Sequence, residues 1–155
     1  MSSTNPQDLI ERALAEPADS ESRWTHVMSL HRLGDEETFR GAVELCRSDE
    51  PARRTLGVEI LGQLGADKPR APYRSQAVEI LLQALPREGD PSVLQAIGAA
   101  FGHLRDPRCV DALRRLRHHP DDDVRHSVVF GLLGHDADLA VDTRRRSRRA
   151  PTSPP

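Results

Sequence analysis

Four carboxylates recur at regular intervals along the 155-residue chain, each inside the same short motif of a small residue, Val, an acid and an apolar or small residue. The valines of this motif are 35, 32 and 31 residues apart. On a helix the acid falls opposite the apolar positions, so the acids are predicted to form a ladder of exposed negative charge that suits a basic partner segment. The alternative interpretation is a merely solvated helix face. The four acids are Glu44, Glu79, Asp111 and Asp142.

The other residue types that are capable of chemistry form no recognisable site. His118 and His119 precede three aspartates at 121–123, but the mixture lacks metal-ligand spacing and the acids fit helix capping better. Cys46 and Cys109 have no metal-like or redox spacing and are expected to be small buried residues in a reducing compartment. The sequence contains no nucleophile elbow, phosphate loop or metalloprotease motif. We therefore expect no catalytic residue, no bound metal and no cofactor.

Charge is distributed unevenly along the sequence. The formal net charge is −2, but five arginines lie between residues 144 and 149, and residues 1–143 alone carry 17 basic and 24 acidic residues. Such an acidic body disfavours non-specific binding to nucleic acid, which clustered Lys and Arg drive. The first 19 residues contain acids and no apolar run, and no segment reaches the length of a membrane span. We expect a cytoplasmic protein without membrane contact.

Apolar residues repeat with helical periodicity and at a fixed long-range spacing. Val93, Ile97 and Phe101 step by four, and the same pattern returns 31 residues later. Leu61 to Leu64 is matched 40 residues later by Phe101 to Leu104. Each unit is therefore predicted to be a helical hairpin that must stack on its neighbours to bury its apolar face. The predicted helices are 6–15, 21–33, 36–47, 51–64, 73–85, 91–104, 107–118, 121–133 and 138–143.

The punctuation of the sequence agrees with helical hairpins. Acidic residues followed by Pro, as at Asp90-Pro91, are typical of helix starts. Gly34 and Gly65 suit the left-handed residue that ends a helix. Gly98 and Gly102 are spaced to let two helices approach closely.

The chain is predicted to contain a capping helix and linker at 1–19, a repeat array at 20–143 and a disordered Arg- and Pro-rich tail at 144–155. The predicted units are 20–48, 49–88, 89–119 and 120–143. The last unit is predicted to be incomplete, because Arg144 takes a core position that Cys46, Leu81 and Leu113 fill in the other units. The tail has a composition too polar to fold.

The Asp-Pro turns, the helix start at Asp123-Val124-Arg125 and the helix end at Leu61 to Gly65 resemble HEAT repeats. The resemblance is to the short bacterial kind related to phycobilin lyase-type repeats, and it covers about residues 20–143. It implies an all-α fold, an α-α superhelix of stacked hairpins. One departure is Leu94, which stands where the typical repeat has an Arg in its first helix. Members of this family are generally scaffolds or adaptors, although a few handle bilin pigments or excise alkylated DNA bases.

We expect a non-enzymatic scaffold or adaptor that binds a protein or peptide, including one with a basic segment, along the surface of the second helices. The alternatives are a bilin-lyase-like or nucleic-acid-binding protein on the same scaffold, or one part of a larger repeat protein. Specific nucleic-acid binding is disfavoured by the acidic body and by the placement of Trp24 and Tyr73 in different units. The Arg-rich tail suits salt-sensitive contact with acidic surfaces, or is simply a disordered end.

Overall fold

The computed structural model describes the backbone of residues 5–67 and 72–147, with side chains as far as His135. These ranges contain helices and no strand. A short 3-10 turn, Leu85–Arg87, follows the fifth helix. The helices are α1 (Pro6–Ala15), α2 (Glu21–Leu33), α3 (Glu36–Cys46), α4 (Pro51–Gln63), α5 (Arg74–Ala84), α6 (Pro91–Leu104), α7 (Cys109–Leu116) and α8 (Asp122–Ser147).

Helices α1 to α7 begin and end within two residues of the predicted bounds, largely because their capping residues are legible in the sequence. Asp90 caps α6, and its Oδ1 accepts the backbone N–H of Ser92 at 2.9 Å. Asp121 accepts the N–H of Asp123 in the same way at the start of α8. Glu50 differs, since it holds the N-cap position of α4 without a side-chain hydrogen bond.

Three first helices end at a residue in the left-handed conformation. Gly34 has φ 53° and Gly65 has φ 64°, which confirms the predicted helix ends. Arg105 has φ 50° and lies 40 residues after Gly65, at the equivalent position of the next unit. A side chain in this conformation is strained, because its Cβ approaches the following carbonyl oxygen.

The prediction of two short helices at 121–133 and 138–143 is wrong, because the backbone forms one helix, Asp122–Ser147. Gly134 does not end a helix. Its missing side chain allows close packing, since a Cβ on Gly134 would lie 2.8 Å from the carbonyl oxygen of Gly102. The predicted tail at 144–155 and the side chain of Arg144 lie almost wholly outside the described residues, apart from the backbone to Ser147.

The helices alternate between two roles. We call α2, α4, α6 and α8 the first helices and α3, α5 and α7 the second helices. The first helices pack side by side, most extensively α4 on α6 and α6 on α8, and one apolar core runs from Leu9 in α1 to Val128 in α8. Gly98 allows the α6–α8 contact, because a Cβ there would lie 2.9 Å from Ser127 Cβ. The predicted close packing at Gly98 and Gly102 is thus confirmed. No helix in the described ranges is long and apolar enough to cross a bilayer.

The same arginine contact recurs in two units. Arg54 Nη1 donates to the carbonyls of Ser48 and Asp49 at 3.0 and 2.9 Å, just before its own helix. Arg125 Nη1 donates to the carbonyls of His119 and Pro120 at 2.7 and 2.9 Å. In the unit between them this position holds Leu94, which is buried in the interior. The contact therefore belongs to a repeated position, and one unit lacks it.

Replacing Arg105 by Gly should stabilise the protein, because Gly adopts positive φ without the steric penalty. We expect the free energy of unfolding to rise by about 1 kcal/mol, measured by urea denaturation. Arg105→Ala is the matched control: it removes the same charge but keeps a Cβ, so it should give no comparable gain. Equal effects of the two substitutions would show that the backbone conformation is not the cause.

Candidate functional site

The acids of the repeated motif lie on the second helices and are exposed. Glu44 pairs with Arg47 at 3.2 Å on α3. Asp111 pairs with Arg114 at 3.6 Å on α7. Glu79, on α5, is exposed as well. Asp142 lies in the backbone of α8, but its side chain is outside the described residues.

These carboxylates have cationic neighbours. Besides the two pairs within helices, Glu79 acts electrostatically on Arg108: the pKa of Arg108 is raised first by its hydrogen bond to Asp106 and in small part by Glu79. Part of the negative charge of the predicted ladder is therefore compensated within the chain. None of the four acids lines the three hollows described below.

The histidine pair before α8 makes local hydrogen bonds. His119 Nδ1 accepts the N–H of Asp121 at 3.1 Å, and His118 Nε2 accepts from Arg117 Nε at 3.0 Å. Asp121 in turn caps α8. Within the described part of the chain, no group of three or more His, Cys, Asp or Glu side chains is placed to hold a metal ion.

The first helices present a different surface, and α6 is its centre. Helix α6 contains no Asp, Glu, Lys or Arg, whereas every other helix contains both acidic and basic residues. Its outward side, which is exposed or half-buried, is therefore a stripe without full charges. Helix surfaces that face only water usually carry charged residues, so this stripe is unusual. It consists of Ser92, Gln95, Ala96, Ala99 and His103.

All five residues of this stripe line one hollow of about 360 Å³, which we call the central hollow. Its other walls come from Ala18 and Trp24 on one side and from Thr55, Glu59 and Gln63 of α4 below. A second hollow of about 390 Å³ shares Trp24 and Gln63 with it. A third, of about 290 Å³, shares Ala18 and Thr55. The three hollows adjoin, and we call them together the trough.

The shape of the trough follows from side-chain size at equivalent positions. Two rows of residues, spaced 31, 40 and 31 apart, run across the four first helices. In both rows the outer helices mostly carry large residues and the inner helices smaller or polar ones. The first row is Trp24, Thr55, Gln95 and His126. The second row is Met28, Glu59, Ala99 and Phe130.

The walls expose apolar surface. Trp24 is 41% exposed and Met28 is 48% exposed on α2, and Phe130 is 48% exposed on α8. The Phe130 ring meets the His103 ring edge-on, with 5.3 Å between the ring centroids, so α8 extends the wall that begins on α6. Aromatic side chains that remain exposed beside a recess are typical anchors for a binding partner.

A buried ion pair lies beneath the trough. Arg23 Nη2 donates to Glu59 Oε2 at 2.6 Å, and the two side chains are only 6% and 19% exposed. Burial raises the pKa of Glu59, although the hydrogen bond from Arg23 opposes this shift. Arg23 Nη1 is buried without a hydrogen-bond partner. A buried pair with an unsatisfied donor adds little to stability, but it neutralises the only ionised side chain that lines the central hollow.

The two histidines at the trough favour their neutral forms. His31 Nε2 donates to the carbonyl of Glu59 at 2.9 Å. Burial lowers the pKa of His31, the Glu59 carbonyl opposes the shift and His103 adds to it. Burial also lowers the pKa of His103, and Arg105 adds to that shift. The trough is thus uncharged in its middle at neutral pH.

Sequence reasoning placed the binding surface on the second helices and missed the trough. The pattern that could have revealed it is the absence of charge from α6, which is visible in residues 91–104. That absence was interpreted only as core periodicity. The contribution of Trp24 could not be inferred, because it requires knowledge of which helices lie side by side.

No model of a known protein family matches this chain, and no curated protein matches its sequence. The trough must therefore be interpreted from its own side chains. Its middle offers apolar surface, amide and hydroxyl groups, and neutral imidazoles. Such a lining can bind an uncharged surface, and it lacks the clustered cations that hold phosphates.

Arg23→Met should lower the free energy of unfolding by about 1.5–3 kcal/mol at neutral pH, because the Glu59 carboxylate stays buried without its donor. The matched control is Arg53→Met, whose pair with Glu50 at 3.4 Å is exposed. It should change stability by less than about 1 kcal/mol. Urea denaturation measures both variants, and equal losses would contradict a special role for the buried pair.

His31 should make the protein less stable as the pH falls below the ordinary histidine pKa of 6.5. In that range the unfolded chain takes up a proton that folded His31 resists, so the contribution present above 6.5 is lost as the pH falls toward the lowered folded value. His31→Gln keeps a donor for the Glu59 carbonyl and removes the titration. The variant should lose less stability than wild type between about pH 7.5 and pH 5. Parallel stability curves would rule this out.

Proposed function

We propose that this protein is a non-enzymatic interaction module that binds a protein or peptide partner on the face of the first helices. The observation that carries the proposal is the charge-free outward stripe of α6, flanked by the exposed aromatic rings of Trp24 and Phe130. Uncharged centres with aromatic anchors and a polar border distinguish protein interfaces from ordinary surface.

The form of the recess favours a macromolecule over a small molecule. The adjoining hollows extend over α2, α4 and α6, and all three are open to solvent along the face. Small-molecule sites usually enclose most of their ligand. A partner that crosses several helices fits such an extended recess better.

The described chemistry gives little support to catalysis. Burial raises the pKa of both thiols, Cys46 and Cys109, to about 12, so neither is a thiolate nucleophile at neutral pH. Both thiols are free, which fits the reducing cytoplasm that the sequence suggests. The neutral middle of the trough likewise gives a nucleic acid no cationic track.

We infer that the hairpins stack as a HEAT-like α-solenoid. Two repeated features support this inference. The left-handed residues Gly34, Gly65 and Arg105 fall at equivalent positions of three units. The arginines at 54 and 125 make the same contact with the carbonyls before their helices.

A second candidate surface is the row of acids on the second helices, which would bind a basic segment. Their exposure supports this candidate, and the nearby arginines weaken it. Because the two surfaces lie on different helices, substitutions can separate them.

Ala99→Glu should abolish partner binding on the first-helix face, because it places an unpaired carboxylate in the middle of the trough. We expect at least about a tenfold loss of captured partner. The test is affinity purification with the full chain as bait, followed by quantitative mass spectrometry. The matched control, Glu44→Lys with Glu79→Lys, should retain the same partners.

The converse result would be equally decisive. Partners lost only from the double lysine variant would place binding on the second helices. Partners retained by both variants would refute both surfaces. Pigment that co-purifies, or a salt-dependent shift of DNA, would favour the alternative functions of the scaffold.

A further inference from the structure

We propose that the trough binds an amphipathic α-helix of a partner protein, through a contact face that is apolar and uncharged in its middle. This inference rests on the proposed function and names the class of partner. The two residue rows and the hollows between them carry the geometry, while the distribution of charge along the trough carries the chemistry.

The inner helices provide a grooved floor. Thr55, Glu59 and Gln63 step by four along α4. Gln95, Ala99 and His103 do the same along α6. Residues four apart form the ridges that interdigitate when two helices pack. The floor between these ridges is shallow, because Gly62 brings α4 against Ala100: a Cβ on Gly62 would lie 2.9 Å from the Ala100 Cβ.

Hydrogen bonding distinguishes a helix from an extended peptide. An extended segment brings unpaired N–H and C=O groups, which must find partners when they are buried. Ala96, Ala99 and Ala100 line the middle of the trough and have no polar side-chain atoms. The backbones of α4 and α6 are already paired within their helices. A helical segment arrives with its own backbone bonds made, so only its side chains need to fit.

Charge sets the composition of the partner helix. In the central hollow the carboxylate of Glu59 is held by Arg23, so a charged partner residue would find no counter-ion there. Charged side chains instead border the two ends. Arg32 and Asp67 line the hollow beside α2. Glu16 and Asp90 line the hollow at the opposite end. The matching helix has apolar residues at spacing i, i+3 or i+4, and i+7, with polar residues at its ends.

The test uses a displayed library of 18-residue peptides on a helix-forming background, with all residues allowed at the four contact positions. The full chain is the bait. Enriched peptides should carry apolar residues at those positions and no charge among them. Binding of a synthesised winner is then measured by fluorescence anisotropy. Ala99→Glu should weaken it at least tenfold, and Gln95→Lys provides a second charged variant at an exposed position. Glu79→Lys, on a second helix, should leave the affinity unchanged.

A proline in the middle of the winning peptide distinguishes the bound conformation. Proline breaks a helix but is compatible with an extended chain, so it should abolish binding. If the proline peptide binds equally well but Ala99→Glu blocks it, the occupant is extended: the helix inference fails and the proposed function stands. If neither charged trough variant affects binding, both fail.

Two further outcomes would overturn the inference. A library without enrichment excludes the helix, while partner capture by wild type and Ala99→Glu still decides the proposed function. Sedimentation of the full chain identifies self-association. A dimer that Ala99→Glu dissociates would make the occupant a second copy of this chain rather than a partner.

Discussion

The contact on which the structure depends is the close approach of neighbouring first helices at glycine. Gly62 allows α4 to meet Ala100, Gly98 allows α6 to meet Ser127, and Gly134 lies against the backbone of Gly102. Side chains at these points would separate the helices, because protein interiors have no spare volume. The contacts bring α4, α6 and α8 into one layer, and that layer forms the floor and far wall of the trough.

The two helix layers have opposite surface chemistry. The second helices expose acids that arginines of the same helix partly neutralise, as in Glu44 with Arg47. Such exposed pairs contribute little free energy and give a solvated surface. The outward stripe of α6 has no ionised group, and its flanks are aromatic. Water solvates this stripe less well, so covering it with an apolar partner releases free energy that the second-helix surface cannot supply.

Much of the fold was predictable because its determinants are local. Caps such as Asp90 and helix ends such as Gly65 depend on neighbouring residues. Gly134 misled the prediction, since a helix end and a helix contact both favour glycine, and only the position of Gly102 distinguishes them. The candidate site was harder still. It combines Trp24 with residues of α6 that are about 70 positions away in sequence, and periodicity does not reveal such neighbours.

The hydrogen bonds between units have a consequence for how the chain folds. In the described part of the chain, those involving side chains join residues 28 to 36 positions apart, as in Arg23 with Glu59 and His31 with the Glu59 carbonyl. Each such bond closes a loop only about one unit long. The entropy of closing a loop grows slowly with length, and local contacts speed folding. Folding can therefore nucleate at any adjacent pair of hairpins and propagate in both directions, without first bringing together the two ends of the chain.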